Sequence, residues 1–174
     1  MFIGGVGLDA SPIFNRMVYL MKLIEVKKVE ATLCGMYQIY INELYKDKSI
    51  SMQDATDECE KWFELVGCTI YYISNDNDIV GFCIVGKLPQ CNSKANWHIF
   101  EFYILPEYRR NHYGMFTMAE LIHKYGQKVS LHILKSNIDG MLFWAKIAHT
   151  FNHHLVPVEP PELQIDDAIE YIID

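Results

Sequence analysis

Glu101-Phe102-Tyr103-Ile104-Leu105-Pro106-Glu107-Tyr108-Arg109-Arg110-Asn111-His112-Tyr113-Gly114 is the stretch on which the fold turns. The residues from Trp97 to Leu105 are rich in aromatic and branched side chains and read as a strand. Pro106 ends that strand, because proline cannot donate to a ladder. Arg109, Arg110 and a short polar loop closing on Gly114 follow. Met115, Met118, Ala119, Ile122 and Tyr125 then fall on one stripe of a helix. A strand, a basic loop and a helix N-terminus in succession make an anion site. The first helical amides lack intrahelical acceptors, and the macrodipole favours negative charge there. A phosphate or pyrophosphate suits such a loop.

Downstream of this stretch, Val129 to Leu134 reads as a strand, and Ile138, Met141, Leu142 and Ala145 mark a helix. Leu155 to Val158 and Ala168 to Ile173 read as two closing strands, separated by the loop around Pro160 and Pro161. Upstream, Thr69 to Ile73 and Ile79 to Val85 make a hairpin across the turn Asn75-Asp76-Asn77-Asp78. Ala31 to Lys46 puts Leu33, Tyr37, Tyr40, Ile41 and Leu44 on one helical stripe. Ser51 and Asp54 form a capping box ahead of a second helix. That helix carries Met52, Ala55, Cys59, Trp62, Phe63 and Val66 at helical spacing, with Gly67 as its stop. Lys22 to Val29 alternates and reads as the opening strand. Residues 1–20 are broken by Gly4, Gly5, Gly7 and Pro12 and are taken as an N-terminal extension without an assigned role.

At 174 residues the chain fits one domain, and a hydrophobic fraction of 51% supplies a sizeable core. The formal net charge of −7 argues against a nucleic-acid surface and suits an amine-bearing partner. Cys34, Cys59, Cys68, Cys83 and Cys91 are scattered and form no Cys-x-x-Cys pair. A disulfide framework or a zinc site is therefore not expected, and a reducing compartment fits. No apolar run is long enough to span a membrane. The first residues lack the basic and apolar regions of a signal peptide, so a cytoplasmic address is expected.

The loop resembles that of the GNAT superfamily, the acetyl-CoA-dependent N-acetyltransferases. The family loop is Arg/Gln-x-x-Gly-x-Gly/Ala, between the fourth strand and the third helix. Arg109-Arg110-Asn111-His112-Tyr113-Gly114 occupies it here, and Leu105-Pro106-Glu107-Tyr108-Arg109 matches the usual lead-in. His112 stands in the place of the first glycine; histidine tolerates left-handed backbone better than most residues. The order β-α-α-β-β-β-α-β-α-β-β over residues 21–174 is also that of the family. The resemblance implies an α/β (α+β) domain whose mixed, mostly antiparallel central sheet is flanked by helices. It implies acetyl-CoA as cosubstrate, with no metal, and direct attack on the thioester by a primary amine of a small molecule or protein. Neither a nucleic acid nor a membrane is expected as partner, and the oligomeric state stays open, a homodimer included.

The resemblance also implies roles for particular residues. Arg109 and Arg110 would complement the CoA phosphates, and the amides of Asn111, His112, Tyr113, Gly114 and Met115 would wrap the pyrophosphate. The alternative is a pair of solvated arginines after a strand. In this family the fourth and fifth strands splay near Tyr103 and Ile104. The main chain there would pair with the pantetheine arm as an added strand does. Asn137-Ile138-Asp139-Gly140-Met141-Leu142-Phe143-Trp144 lies over a similar family pattern, Asn-x-x-Ala-x-x-Phe-Tyr. Asn137 would bond the pantetheine, cap the helix, or do both. Glu101 is the candidate general base that takes a proton from the acceptor ammonium. Many relatives carry a tyrosine where Trp144 stands, and tryptophan cannot protonate a departing thiolate. Tyr113 is an alternative for that step. His149, His153 and His154 match no compact ligand set and read as a surface cluster. Two other readings stay open: an acyl-CoA-binding module without turnover, and an interaction module that keeps the fold only.

Overall fold

The computed structural model describes residues 21–46, 49–76, 78–161 and 165–174. The N-terminal extension, and part of the loop between the last two strands, lie outside them. The elements are β1 (Lys22–Glu25), α1 (Ala31–Leu44), α2 (Met52–Glu64), β2 (Cys68–Ser74), β3 (Ile79–Gly86) and β4 (Trp97–Ile104). A 3-10 turn (Pro106–Tyr108), α3 (Tyr113–Tyr125), β5 (Val129–Leu134), α4 (Ile138–Thr150), β6 (Leu155–Pro157) and β7 (Ala168–Ile173) complete the order. It is the order expected from the sequence, with the 3-10 turn added where Pro106 stops the strand.

Local chemistry accounts for the boundaries. Ser51 Oγ accepts from the Asp54 amide at 3.1 Å, and Asp54 Oδ2 accepts from the Ser51 amide at 2.8 Å, which closes the capping box of α2. The hairpin turn is held by the Asp78 amide on Asn75 Oδ1, at 2.8 Å. β1 ends four residues before its expected limit. The Val26 amide still reaches the Ile70 carbonyl, and the chain then leaves the sheet to place Glu30 ahead of α1. In α3 the most deeply buried positions are Thr117, Met118 and Leu121, so the inward stripe is rotated from the one expected, and Met115, Ile122 and Tyr125 flank it. In α2, Ala55 and Cys59 are buried as expected, whereas Val66 lies past the helix end and is exposed.

The seven strands form one sheet in the order β1-β2-β3-β4-β5-β7-β6. Only β4 and β5 run parallel, because α3 carries the chain back across the sheet between them; all other neighbours are antiparallel. One face packs against α3 and α4 through Trp97, Ile99, Met118, Leu121, Leu131 and Ile147. The other packs against α1 and α2 through Leu33, Tyr37, Ala55, Ile70, Phe82 and Ile84. Among the described residues no helix is long and apolar enough to cross a membrane.

Candidate active site

β4 and β5 are paired only from Trp97↔Val129 to Ile99↔Leu131. Beyond Ile99 the β5-facing edge of β4 has no ladder partner, while β5 stays paired with β7 from Val129 to Leu134. The two central strands therefore open into a V whose arms are 100–104 on β4 and 132–134 on β5.

A bulge sits at the apex. Ile84 of β3 pairs with Glu101, but the next residue, Val85, pairs with Ile99, so Phe100 is the extra residue. Bulges change the phase of a strand and re-aim side chains. Trp97 and Ile99 point into the α3/α4 core, and without the bulge Glu101 would follow them. With it, Phe102 and Ile104 take the α3/α4 side, and Glu101 and Tyr103 turn to the α1/α2 side.

The bulge also leaves the main chain in a defined phase. The Leu105 amide donates to the Val80 carbonyl at 2.9 Å, so Leu105, Tyr103 and Glu101 direct their peptide groups at β3. Phe102 and Ile104 direct theirs into the V. Of the two positions expected to offer their main chain, Ile104 faces the opening, whereas the Tyr103 peptide faces β3 and that of Phe102 faces the opening instead. Arg109 Nε already donates to the Ile104 carbonyl at 2.9 Å, which leaves the Phe102 peptide and the Ile104 amide facing the opening.

Glu101 is partly buried, and the Tyr40 hydroxyl donates to its Oε2 at 2.5 Å. Burial pushes its carboxyl up to about 7; the nearby Glu58 charge adds to the rise, and hydrogen bonds from Tyr40 and Tyr37 oppose it. The ring of Tyr40 packs on Tyr103 at 5.2 Å, and Trp62 covers Phe100 at 5.3 Å. A carboxyl poised near neutrality, walled by aromatic rings, can take up and release protons under ordinary conditions.

The loop has the shape its composition suggests. Arg110 and His112 both sit in left-handed backbone, at φ 63° each. His112 is the N-cap of α3 and makes no side-chain capping bond. The first intrahelical bond runs from the Phe116 amide to the His112 carbonyl, so the amides of Tyr113, Gly114 and Met115 have no acceptor within the helix. A Cβ on Gly114 would stand 2.8 Å from the ring of Phe143. That ring packs on Phe102 of the V at 5.7 Å, so the glycine lets the loop, α4 and β4 meet.

Arg109 has a second role that the sequence did not reveal. Its guanidinium grips Glu43 of α1 in two bonds, of 2.6 and 2.8 Å, and lies 5.3 Å from the Tyr103 ring centroid. The Tyr103 hydroxyl donates to the same Glu43 at 2.9 Å. The Arg109 pairing holds the Glu43 carboxyl below its ordinary range. Arg110 and Asn111 are exposed, and Asn111 Nδ2 reaches the carbonyls of Tyr108 and Arg109 at 3.3 and 3.2 Å. Tyr113 turns away from the V, and its hydroxyl accepts from Asn75 Nδ2 at 3.2 Å. Asn137 is the N-cap of α4, and its Oδ1 accepts from the Gly140 amide at 2.9 Å. Trp144 is buried against Phe102 with ring centroids 5.3 Å apart, as a wall of the α3/α4 core.

Tyr40, Tyr37 and Trp62, which the sequence places on helical stripes, and Glu43, which no sequence pattern singles out, are neighbours of the site. Tyr37 and Tyr40 carried the usable signal: a buried tyrosine hydroxyl needs a polar partner, and two at helical spacing aim at one place. His149, His153 and His154 line a surface cavity of about 350 Å³ with Ala145, Ala148, Asn152 and Leu155. Among the described residues no group of three or more His, Cys, Asp or Glu is arranged to hold a metal ion.

A model of the acetyltransferase (GNAT) family matches residues 33–149. No curated protein sequence matches the chain. Among solved structures, an acetyltransferase from Thermus thermophilus has a TM-score of 0.67 and 10% identity, covering 90% of this chain and 97% of that one. A Bacillus subtilis acetyltransferase in complex with CoA has a TM-score of 0.58 and 11% identity, covering 88% and 98%. The microcin C7 self-immunity acetyltransferase MccE, in complex with acetyl-CoA and AMP, gives 0.58 and 11%, covering 88% and 91%. At such identities the likeness is one of fold.

Proposed function

Because the chain belongs to the GNAT acetyltransferase family, we propose that it is an N-acetyltransferase, moving acetyl from acetyl-CoA to a primary amine by direct attack. The observation that carries this reading is the carboxyl of Glu101, poised near neutrality beside an unpaired strand edge. CoA in the Bacillus subtilis structure and acetyl-CoA in MccE support the choice of cosubstrate.

In this reading the Phe102 peptide and the Ile104 amide pair with the pantetheine arm as a neighbouring strand would. The amides of Tyr113, Gly114 and Met115, in the loop with Arg110, Asn111 and His112, bind the pyrophosphate. Arg109 contributes if phosphate displaces Glu43. That pair is about half exposed and worth about 1 kcal/mol or less, so a phosphate can compete for the guanidinium. Asn137 keeps its capping bond and offers its amide nitrogen to the pantetheine. An amide of β4 facing the V stabilises the oxyanion as the amine attacks. Glu101 takes the proton that the ammonium must lose. The five free thiols suit a reducing, cytoplasmic setting.

The reading is tested by offering amines of several classes with acetyl-CoA and following release of free CoA. At least one primary amine is expected to accelerate release over the amine-free rate. Tight CoA binding with no acceleration by any amine would favour a binding module without turnover.

A further inference from the structure

α1 brings two tyrosines to Glu101 at helical spacing. The Tyr40 hydroxyl donates to Glu101 Oε2 at 2.5 Å, within the range of a charge-assisted O–H···O bond. Tyr37, one turn earlier, also bonds the carboxyl, and Trp62 Nε1 donates to the Tyr37 hydroxyl at 3.5 Å. The Tyr40 ring is held on three sides. It packs edge-on to Phe82 at 5.8 Å and to Tyr37 at 6.1 Å, and lies against Tyr103 at 5.2 Å. Leu33, Cys34 and Tyr37 bury the inner face of α1. Glu43, one turn past Tyr40, is held by both Arg109 and Tyr103, which pins the end of the helix to β4 and its loop. The hydroxyl therefore reaches Glu101 from a fixed direction.

Resting on the acetyltransferase reading, we propose that Tyr40 is the positioning residue of the base: its hydroxyl holds one oxygen of Glu101 and favours the ionised carboxyl. An ionised carboxylate accepts a stronger bond than a neutral carboxyl, so donation selects the charged form. Burial, with the Glu58 charge, keeps the proton on Glu101, and the two tyrosine bonds oppose it. A base must be ionised to act, so the bond sets how much of the protein is active near neutrality. The ammonium gives one proton to Glu101, which passes it to water after acetyl transfer; the Tyr40 proton stays on its oxygen. Burial and the Glu101 charge push the Tyr40 hydroxyl well above its ordinary value, so it remains a donor throughout.

The titratable groups that face Glu101 are Tyr37 and Tyr40 on α1, Tyr45 just beyond it, and Glu58 on α2. Ile84, its partner on β3, carries none. Of the two tyrosine bonds, the one from Tyr40 lowers the carboxyl more. Tyr40→Phe keeps the ring that packs on Phe82, Tyr37 and Tyr103, so it removes the bond and leaves the packing.

The test begins with the carboxyl itself and needs neither acetyl-CoA nor amine. Carbon-13 resonances of labelled glutamate carboxyls, with that of Glu101 assigned by its loss in Glu101→Gln, follow ionisation across pH. In the unmodified protein the midpoint is expected at about 7. In Tyr40→Phe it is expected about one pH unit higher, a tenfold weaker ionisation. With an accepted amine, the rise of kcat with pH should move up by the same amount. Turnover of Tyr40→Phe should fall roughly fivefold at about pH 7 and recover by about pH 9. In the Glu101→Gln background the same change should cost less than about twofold, because Tyr40 acts through the carboxyl. If phenylalanine impairs folding, 3-fluorotyrosine at position 40 keeps the side chain and donates more strongly, so the midpoint should move down instead. An unmoved midpoint, a loss of turnover equal at every pH, or the same loss on top of Glu101→Gln would overturn the proposal and leave the acetyltransferase reading standing. Absence of turnover of any amine by the unmodified protein would overturn that reading, and the titration would then decide the Tyr40–Glu101 link alone.

Discussion

Replacing Glu101 with glutamine is expected to lower turnover roughly 100-fold or more while leaving acetyl-CoA binding unchanged. Glutamine keeps the shape and can still accept from the Tyr40 hydroxyl, but it cannot take a proton near neutrality. The unmodified rate should rise with pH through about 7, where the buried carboxyl ionises, and then level. The variant should recover at high pH, where the amine is already free. Stability gives a second readout. The native carboxyl holds its proton to about 7, against an ordinary value of 4.5. Below the ordinary value its contribution to stability is fully present, and it is lost as pH rises through about 7. Glu101→Gln should flatten that fall in melting temperature. Matching pH–rate profiles for the two proteins would return Glu101 to a structural role.

Trp97→Ala is expected to cost about 3–5 kcal/mol, a large share of the roughly 5–15 kcal/mol that holds a typical domain. Trp97 opens β4 and is 1% exposed; its Nε1 donates to the Gly126 carbonyl at 2.7 Å, and its ring packs on Tyr125 at 5.6 Å. Its partner Val129 opens β5, so this side chain fixes the closed end of the V and ties it to the end of α3. Truncation leaves a cavity there and an unpaired carbonyl. Trp97→Phe keeps most of the volume and forfeits the hydrogen bond, for about 1–2 kcal/mol. Denaturant unfolding of the three proteins measures both. A loss below about 1 kcal/mol for alanine would mean that the closed end is held elsewhere.

Much of this architecture could be read from local signals. Val129–Leu134 and Ala168–Ile173 are strands over the expected residues, since β-branched runs bounded by turn residues leave little choice. The capping box at Ser51 was equally legible, because it depends on neighbours only a few residues away, and the left-handed backbone at His112 followed from the resemblance of its loop to the family's, where a glycine stands. The bulge at Phe100 was not. Trp97 to Ile104 is aromatic or branched at nearly every position, so a slip of one residue leaves no break in the pattern. Yet that slip decides which face Glu101 serves. The Glu43–Arg109 grip and the Asn75–Tyr113 bond join residues far apart in the chain, and no periodicity encodes such meetings. The inward stripe of α3 is rotated from the expected one because Phe116 and Thr117 are buried alongside Met118, whereas Met115 is only partly buried. Two faces of that helix therefore competed for one pattern.

The central claim is that acetyl-CoA binds along the open edge of β4 and across the loop into α3. Amide-resolved nuclear magnetic resonance during an acetyl-CoA titration tests it most directly. The account predicts that the amides of Phe102, Ile104, Tyr113, Gly114 and Met115 shift together along one saturating curve, and that those of β1 and β6 stay still. No shift at millimolar acetyl-CoA, or shifts confined to residues away from the V and the loop, would contradict it.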